Sequence, residues 1–340
     1  MAQPRVSVVG ATGLVGRKIL EKLEQRRFPV SELRLFSSER SAGSTVEVFG
    51  DSVRVEKLTK EAFLANTDIA LASAGKEVST QLREWARSSQ AVVVDNSSAF
   101  RMDPEVPLVV PEINPDEAFL HNGYIANPNC STIQLVVVLK PILDRFGLRR
   151  VVVSTYQSVS GAGQKGIDEL SSQAIGLFNQ AKVESRVFPR QIAFNAIPQI
   201  GQFTDNGYTD EEMKVTNETR KILGLPGLGV SCTAVRVPTF ACHSESVMVE
   251  TEASPTVPEL RAALEGFPGL RVMDEPADGV YPVPLDGVEE DDVLVGRIRK
   301  DVSGGDNAYN LWIVADNILK GAALNAVQIA ELLLKKLDAH

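Results

Sequence analysis

The stretch VSVVGATGLVGRKIL, residues 6–20, decides the fold, because it joins a β-branched run to a helical pattern through three closely spaced glycines. Glycines at such a junction allow a tight turn, close approach to a pyrophosphate, and close packing of helix on strand. A plain strand-to-helix turn is the alternative, but the motif opens an α/β pattern near the start of the sequence. The stretch therefore predicts a dinucleotide site. Its predicted cofactor contacts are Gly10, Thr12, Gly13, Leu14, Val15 and Gly16.

The first third of the chain alternates short apolar runs with amphipathic helical patterns. ELRLFSS, TDIALASA and AVVVDNSS have strand character, whereas EVSTQLREWARSS has helical character. Such alternation is typical of a parallel, doubly wound sheet. Longer β-rich stretches follow, such as RRVVVSTYQSVS and DDVLVGRIRKDVS, interleaved with helices. The expected fold class is α/β: an N-terminal Rossmann-like doubly wound parallel sheet plus a C-terminal α+β domain with a mixed sheet.

The length of 340 residues favours two domains. We expect the dinucleotide-binding domain over residues 1–129 and the second domain over residues 130–317. The last segment, about 318–338, has the pattern of an amphipathic helix with basic residues in its last turn. We expect this helix to complete the first domain.

Composition and charge exclude several classes of function. The net charge of −9 argues against broad attraction to nucleic acid or an anionic membrane, while leaving room for a small anionic substrate. No run of about 18 apolar residues and no cleavable leader is found. The three cysteines do not suggest a disulfide framework, and no Cys or His spacing fits zinc. The sequence predicts a cytoplasmic, reduced, metal-free protein.

The end of the second predicted strand bears on the choice between NAD and NADP. An acidic residue there would bind the ribose 2′-hydroxyl, whereas an arginine accommodates a 2′-phosphate. The sequence LFSSERSAG places Ser37, Ser38, Arg40 and Ser41 at this point. Hydroxyls and a guanidinium suit a phosphate, and the intervening Glu39 could face solvent. NADP is therefore the predicted cofactor.

The sequence NPNC, residues 127–130, precedes the apolar run STIQLVVVLKPIL. Pro128 disfavours a helix at Asn127, and Asn129 is a good N-cap type, so Cys130 should lie in the first turn of a helix. There the helix dipole and free N–H groups would stabilise a thiolate and an oxyanion. A small buried hydrophobe is the competing interpretation, and the local pattern does not choose between the two.

A cysteine nucleophile usually requires a base, and the chain has three histidines. His121 lies in a predicted surface turn, and His340 is the last residue. His243, in RVPTFACHSESVMVE, is the remaining candidate, although a solitary histidine is more often structural. Cys232 and Cys242 lie in apolar strand patterns and are expected in the core.

Eight motifs together resemble those of bacterial aspartate-β-semialdehyde dehydrogenases. They are GATGLVG, SSERSAG, VVDNSSAFR, NPNCST, YQSVSGAGQKG, TDEEMKVTNETRKI, RVPTFACHSES and NLWIVADNILKGAALNAVQIAE, in family order from residue 10 to about residue 331. The resemblance implies NADPH-dependent, reversible reduction of L-aspartyl 4-phosphate to L-aspartate 4-semialdehyde and phosphate. That step leads to lysine, methionine, threonine and diaminopimelate. It also implies that the second domain is the catalytic and dimerisation domain of a homodimer, paired into tetramers in some members.

The resemblance assigns catalytic roles to three residues. By this match Cys130 is the nucleophile that forms an acyl thioester, His243 is the acid/base, and Gln157 orients the substrate. The matching contacts to the nicotinamide end are Ser160, Gly161 and Asn317.

The resemblance also assigns the substrate contacts. Arg236 would bind the α-carboxylate and Glu211 the ammonium group, while Arg101 and Lys214 would hold the phosphate. Asn129, beside the nucleophile, is a further predicted substrate contact. A zwitterionic amino acid needs one cation and one anion, and a phosphate needs cations, so these residue types fit the chemistry.

An ordinary structural role is the alternative to each of these assignments. Arg101, Gln157 and Arg236 could be ordinary loop or strand residues. Glu211 is preferred over Glu212 because it lies three residues before Lys214, and the other charges of this helix are expected to form a solvated face.

Two other functions are less consistent with the sequence. A reductase of N-acetyl-γ-glutamyl phosphate would have no use for Glu211, since an acetylated nitrogen carries no positive charge. A non-catalytic paralogue acting as a binding subunit predicts loss of Cys130, His243 or Gln157, and all three are present.

Overall fold

The computed structural model describes residues 3–337, with side chains up to residue 334. The strands are β1 (Arg5–Val9), β2 (Glu32–Ser37), β3 (Thr45–Val48), β4 (Asp51–Lys57), β5 (Ile69–Ala72), β6 (Val92–Asp95), β7 (Tyr124–Ala126), β8 (Arg150–Gln157), β9 (Gly229–Arg236), β10 (His243–Glu250), β11 (Leu270–Val272), β12 (Val293–Lys300) and β13 (Ala308–Ala315). The helices are α1 (Leu14–Gln25), α2 (Lys60–Ala65), α3 (Lys76–Arg87), α4 (Cys130–Phe146), α5 (Gln164–Phe178), α6 (Asp210–Leu223), α7 (Val257–Leu264) and α8 (Leu324–Leu337).

Backbone contacts divide the chain into two compact units. The first unit comprises the residues up to Asn129 together with those from Ala322 onward, and the second comprises Cys130–Gly321. None of the described helices combines the length and the apolar character needed to cross a membrane.

The first unit is built on a seven-stranded sheet in the order β3-β4-β2-β1-β5-β6-β7. All neighbouring strands run parallel except β3 and β4, which form an antiparallel hairpin at the edge. The chain winds outward from β1 in both directions, so strand order reverses beside β1. Ligands bind at the carboxyl ends of strands beside such a reversal. The predicted doubly wound parallel sheet is confirmed.

The last helix belongs to this first unit. Side chains of α8, including Ala326, Val327 and Ala330, join the buried cluster that also holds Ile19 and Leu23 of α1. The helix was predicted over about 318–338, but regular α-helix begins only at Leu324, after a π-helical turn over Leu319–Ala323. The Asp316 carboxylate accepts the N–H groups of Ile318 (2.9 Å) and Leu319 (3.1 Å), which starts this wider turn.

The second unit is built on a six-stranded sheet in the order β11-β12-β13-β10-β8-β9. The β8–β9 and β11–β12 pairs are parallel and the other pairs are antiparallel, which confirms the predicted mixed sheet. Helices α4, α6 and α7 pack on the strands of this sheet, and α4 also contacts the other two helices. Several of the residues predicted for catalysis and substrate binding lie at the ends of β8, β9 and β10 and on α4 and α6.

The start of α6 corrects one sequence-based expectation. Thr209 caps the helix: its hydroxyl accepts the Glu212 N–H (3.3 Å), and the Glu212 carboxylate accepts the Thr209 N–H (2.6 Å). The other Glu212 oxygen accepts the Ala234 N–H of β9 (2.9 Å). Glu212 and Glu218 are both buried, so the expected solvated face is wrong for these residues. Glu212 instead fixes the first turn of α6 against the sheet.

Candidate active site

The glycine loop of the first unit has no room for side chains at two of its three glycines. Gly10 has a φ of +85°, and a Cβ there would lie 2.3 Å from the Ser73 carbonyl oxygen. A Cβ on Gly16 would lie 2.1 Å from the Gly10 carbonyl oxygen. Gly13 is the N-cap residue before α1 and provides no side-chain cap. A helix N-terminus without a side-chain cap, reached through a loop that has no side chain at Gly10 and Gly13, fits the pyrophosphate of a dinucleotide.

The remaining predicted cofactor residues lie around this loop. Ser37, the last residue of β2, lies with its hydroxyl 2.8 Å from the Thr12 hydroxyl. Ser38 and Ser41 form a turn in which the Ser41 N–H donates to the Ser38 carbonyl (2.9 Å), and Arg40 is exposed in that turn. Glu39, which obscured the sequence-based choice of cofactor, is solvent-exposed and pairs with Lys57 at 3.0 Å. Its carboxylate therefore has a cationic partner in Lys57. Leu14 and Val15 are half-buried at the start of α1.

Cys130 is the first residue of α4 and is half-buried. Its position follows from the preceding Asn-Pro-Asn sequence, because the residue before a proline disfavours helical backbone. Gly321 lies against it, and a Cβ on that glycine would lie 2.8 Å from the Cys130 Cβ. The positive end of the α4 dipole is therefore at the thiol, and the Gly321 contact leaves no space for a larger neighbour.

His243 is the first residue of β10 and is fully buried. Its Nδ1 accepts the Ser158 backbone N–H (3.1 Å), while its Nε2 has no hydrogen-bond partner. Burial and the nearby Arg236 guanidinium lower the pKa of His243 to about 3. The imidazole is therefore neutral near pH 7. Because a backbone N–H can only donate, the ring proton lies on Nε2.

Arg236, the last residue of β9, is buried beside His243. Its Nη1 donates to the Ser158 carbonyl (2.6 Å), and its guanidinium lies 5.7 Å from the centre of the Phe188 ring. Burial lowers the pKa of Arg236, opposed by the charges of Glu211 and Cys130, yet a guanidinium remains charged in proteins. The opposing effect of Cys130 places its sulfur within electrostatic reach of this cation.

Gly161 lies between the cation and the imidazole. A Cβ on Gly161 would lie 2.9 Å from Arg236 Nη1 and 3.2 Å from His243 Nε2. The absence of a side chain there lets the guanidinium and the unpartnered imidazole Nε2 both lie close to the Gly161 backbone, so the two groups are near each other. Both are donors to a negatively charged or polarised oxygen.

Gln157 and Glu211 form the other side of this group. Gln157 ends β8, and its Nε2 lies 3.4 Å from Glu211 Oε1 and 3.3 Å from the Thr155 hydroxyl. Lys214 Nζ lies 3.2 Å from Glu211 Oε2 and 3.2 Å from Asp210. Burial disfavours the charge of Lys214, but Glu211 and Asp210 outweigh it and raise the pKa of Lys214. Lys214 therefore remains charged near pH 7.

Ser160 and Asn317 are linked to His243 by hydrogen bonds through Ser158, a residue that the sequence analysis did not identify. Asn317 Oδ1 accepts hydrogen bonds from the hydroxyls of Ser158 and Ser160, each at 3.1 Å. The Ser158 hydroxyl also lies 3.1 Å from His243 Nδ1. Ser158 thus orients His243 with its backbone and connects it to Asn317 with its side chain. Its place directly after Gln157, in the motif YQSVSGAG, is the signal that could have identified it.

The first unit contains Arg101, a predicted phosphate contact, and Asn129, a predicted substrate contact. The roles of both residues stay predictions. Arg101 is buried there, with its guanidinium donating to the carbonyls of Asn127 (2.9 Å) and Asn96 (2.8 Å). Asn129 is buried at the end of the same unit. Lys214, the other predicted phosphate ligand, belongs to the second unit. Among the described residues, no three His, Cys, Asp or Glu side chains are grouped so that they could hold a metal ion.

Comparison with known proteins gives close matches over the whole chain. Family models described as "Semialdehyde dehydrogenase, NAD binding domain" and "Semialdehyde dehydrogenase, dimerisation domain" match residues 5–121 and 139–320. The aspartate-semialdehyde dehydrogenases of Bacillus subtilis and Aquifex aeolicus are 50% and 52% identical to the chain, over 98% of each chain. The crystal structure of aspartate semialdehyde dehydrogenase II from Vibrio cholerae has a TM-score of 0.95 at 49% identity, covering 98% of this chain and 99% of that one. A second structure of the Vibrio protein is complexed with ASA.

Proposed function

Because the chain belongs to the aspartate-semialdehyde dehydrogenase family, we propose that it reduces L-aspartyl 4-phosphate with NADPH to L-aspartate 4-semialdehyde and phosphate. The family predicted from the eight motifs is confirmed by these matches. The reaction is reversible and supplies the synthesis of lysine, methionine, threonine and diaminopimelate. The individual residue roles that follow are part of the proposal.

The observation that carries the proposal is the approach of both Arg236 Nη1 and His243 Nε2 to the Gly161 backbone, which brings a buried cation and an imidazole donor together. A Cys130 thiolate would lie within electrostatic range of the same guanidinium. A thiol at a helix N-terminus and an imidazole donor suit acyl transfer through a thioester, and the buried cation suits a carboxylate of the substrate.

The substrate would be held by complementary charges. We assign its α-carboxylate to the Arg236 guanidinium and its ammonium group to Glu211, whose carboxylate also contacts Gln157 and Lys214. Gln157 then orients the carbonyl group that reacts. Lys214 and Arg101 supply positive charge for the phosphate, and Asn129 is a further contact.

Cys130 carries out the covalent chemistry. Its thiolate sulfur forms a bond to the acyl carbon while the carbon–oxygen bond to phosphate breaks, and phosphate leaves with that electron pair. The nicotinamide cofactor, when bound, supplies the hydride that reduces the resulting thioester. The product is a thiohemiacetal whose oxygen bears negative charge. Its carbon–sulfur bond then breaks, which releases the aldehyde and restores the thiolate.

His243 would stabilise the charge on that oxygen. With Nδ1 occupied by the Ser158 N–H, the neutral imidazole presents its Nε2 proton as a donor. A fixed donor in a buried site stabilises a developing oxyanion more strongly than water does. The geometry therefore favours the donor half of the acid/base role that the sequence suggested for His243.

The cofactor assignment to NADP rests on the end of β2. Ser37, Ser38, Arg40 and Ser41 offer hydroxyls and a guanidinium to a 2′-phosphate, while Glu39 is engaged by Lys57. The glycine loop would hold the pyrophosphate, and Ser160, Gly161 and Asn317 would meet the nicotinamide end.

The second unit matches a family model described as a dimerisation domain. We propose a homodimer formed through that unit, with pairing of dimers into a tetramer as a further step. We also propose that the enzyme acts in the cytoplasm, where its three thiols would remain reduced.

The test is a phosphate-dependent oxidation assay with NADP, comparing aspartate semialdehyde and N-acetylglutamate semialdehyde. Aspartate semialdehyde should be turned over at least about a hundred-fold faster, because only its ammonium group pairs with Glu211. Cys130→Ala should abolish turnover while leaving NADP binding intact, as measured by fluorescence titration. Preference for the acetylated substrate would reassign the enzyme, and no turnover of either would favour a non-catalytic paralogue.

A further inference from the structure

One buried acid beside the proposed catalytic group has no role in the mechanism above. Glu245 lies on β10, two residues after His243, so both side chains point to the same face of the sheet. It is fully buried, and neither carboxyl oxygen has a hydrogen-bond partner. Burial raises the pKa of Glu245 well above its usual value, opposed only by the adjacent Gln134 amide.

Gln134 lies on α4, one turn after Cys130. Its Nε2 points to the backbone carbonyl of His243 at 3.5 Å, a distance at the outer limit of a hydrogen bond. Its Oε1 is buried and also without a partner. Three acceptor oxygens, two from Glu245 and one from Gln134, are thus left unsatisfied side by side.

Among the described residues, burial and the Gln134 amide are the influences on the charge of Glu245, and no cation is among them. The Cys232 thiol on β9 lies within electrostatic range of Glu245, and Cys232 also lies within range of the Glu211 and Glu212 carboxyl groups of α6. On its own strand, His243 is held neutral by burial and Arg236. Arg236 itself lies two strands away, engaged by the Ser158 carbonyl. An ionised carboxylate in this setting would lack both a partner and solvent.

We propose that Glu245 is a neutral carboxylic acid paired with the Gln134 amide, and that this pair is a positioning element for His243. The acid O–H donates to Gln134 Oε1, and one Gln134 N–H donates to the other carboxyl oxygen. The second Gln134 N–H reaches the His243 carbonyl. A single proton on Glu245 satisfies all three orphaned oxygens, since a protonated carboxyl group both donates and accepts.

The pair connects two parts of the proposed site. Gln134 is carried by the helix that begins with Cys130, and its other contact is the backbone of His243. It therefore sets the spacing between the nucleophile's helix and the strand that carries the imidazole. This consequence for catalysis rests on the proposed function, whereas the protonation and pairing of Glu245 do not.

Infrared spectroscopy tests the protonation directly. In heavy water at pH 8, the wild-type enzyme should show the carbonyl stretch of a protonated carboxyl group, because exposed carboxylates are ionised there. Glu245→Gln should remove that band, while Cys130→Ala should keep it. If the wild-type and Glu245→Gln spectra are the same in this region, Glu245 is ionised and the proposal is wrong. Turnover of Cys130→Ala tests the proposed function, whereas the infrared band tests the protonation of Glu245. Failure of the proposed function and failure of the pairing are therefore distinguishable.

Paired substitutions test the positioning. Glu245→Leu and Gln134→Leu should each lower the melting temperature by a few degrees and kcat by about ten-fold, with a smaller change in KM, because each leaves a buried oxygen unpaired. The double variant should regain most of the melting temperature but not kcat, because the contact of the Gln134 amide with the His243 carbonyl is still missing. Glu245→Gln should retain both, because an amide donates and accepts as the acid does.

Additive losses of melting temperature in the double leucine variant would show that the two side chains do not pair. Full recovery of kcat in that variant would show that the pair only fills space. Either result overturns the corresponding half of the proposal.

Discussion

Gly161 shows how much at this site depends on the absence of one methyl group. A Cβ at this position would lie 2.9 Å from Arg236 Nη1 and 3.2 Å from His243 Nε2. Gly161→Ala should force one of these side chains to shift by a few tenths of an ångström, so we expect kcat/KM to fall about ten-fold to a hundred-fold. Folding should be retained, since the φ of Gly161 is not in the left-handed region. Gly227→Ala is the matched control, because no atom lies within 4 Å of its added Cβ.

Arg40 is the residue on which the choice of NADP depends. Arg40→Ala should raise the KM for NADPH about ten-fold or more while changing the KM for NADH little, because only the former carries a 2′-phosphate. Arg54→Ala removes another exposed arginine of the first unit and serves as the control for general charge. Equal effects of Arg40→Ala on both cofactors would remove the assignment of the 2′-phosphate to this residue.

His243 gives the stability of the protein a defined dependence on acid. Its folded-state pKa of about 3 lies below the ordinary histidine pKa of about 6.5, so between these values the unfolded chain binds more protons than the folded one. Stability therefore falls as pH drops through this window, by about 2 kcal/mol between pH 7 and pH 5. His243→Asn should lose that dependence in denaturant titrations at several pH values, whereas His121→Asn should keep it. Parallel stability curves for wild type and His243→Asn would contradict the prediction.

At the scale of elements, α6 brings Glu211 and Lys214 to the site, and its first turn is fixed by the Thr209–Glu212 capping box. Thr209→Ala should cost about 1 kcal/mol of stability and raise the KM for aspartate semialdehyde several-fold, because fraying reaches Glu211. Helix α7 has the same capping box, formed by Thr256 and Glu259, and offers a matched control. Thr256→Ala should cost a similar amount of stability with no change in KM. Equal KM changes in both variants would mean that the α6 cap has no special link to the substrate.

The same helix shows what the sequence reveals about elements and what it hides. Thr209 and Glu212 have the spacing of a capping box, so the sequence could have predicted the capping role of Glu212. Glu245 could have been related to His243 by its spacing of two along a strand. Its pairing with Gln134 could not, because the two residues are 111 positions apart and meet only through packing. Local patterns fix which face a residue occupies, while long-range partners depend on the tertiary fold.

At the scale of the whole molecule, the fold class was predictable because strand and helix periods differ so clearly in the first third of the chain. The strand orders were not predictable, since register and neighbours depend on contacts between distant segments. The periodic pattern predicted a helix over about 318–338, whereas regular α-helix begins at Leu324, after a π-helical turn that the pattern did not indicate. The wider turn depends on the Asp316 carboxylate and the close contact of Gly321 with Cys130, neither of which leaves a periodic signal.

The mixed sheet has an open face that suits a second copy of the chain. Residues alternating with the buried ones along β8, β10 and β13 are only partly covered, and they include an aromatic pair, Tyr156 and Trp312, with ring centres 5.4 Å apart. Ser246 lies beside Trp312 on the adjacent strand, and Met248 follows on the same face. A partly exposed aromatic and methionine surface is typical of protein interfaces, and this unit matches a dimerisation domain.

Ser246→Arg should therefore disrupt the dimer, because it places a bulky charge at the centre of the open face, where a partner would leave it desolvated. Sedimentation velocity should show a shift from dimer to monomer, with the fold of each subunit preserved by circular dichroism. Gln90→Arg, an exposed change in the first unit, should leave the dimer intact. A Ser246→Arg protein that remains dimeric would place the interface on another part of the second unit, because a small hydroxyl at a buried contact cannot be replaced by a guanidinium without loss of packing.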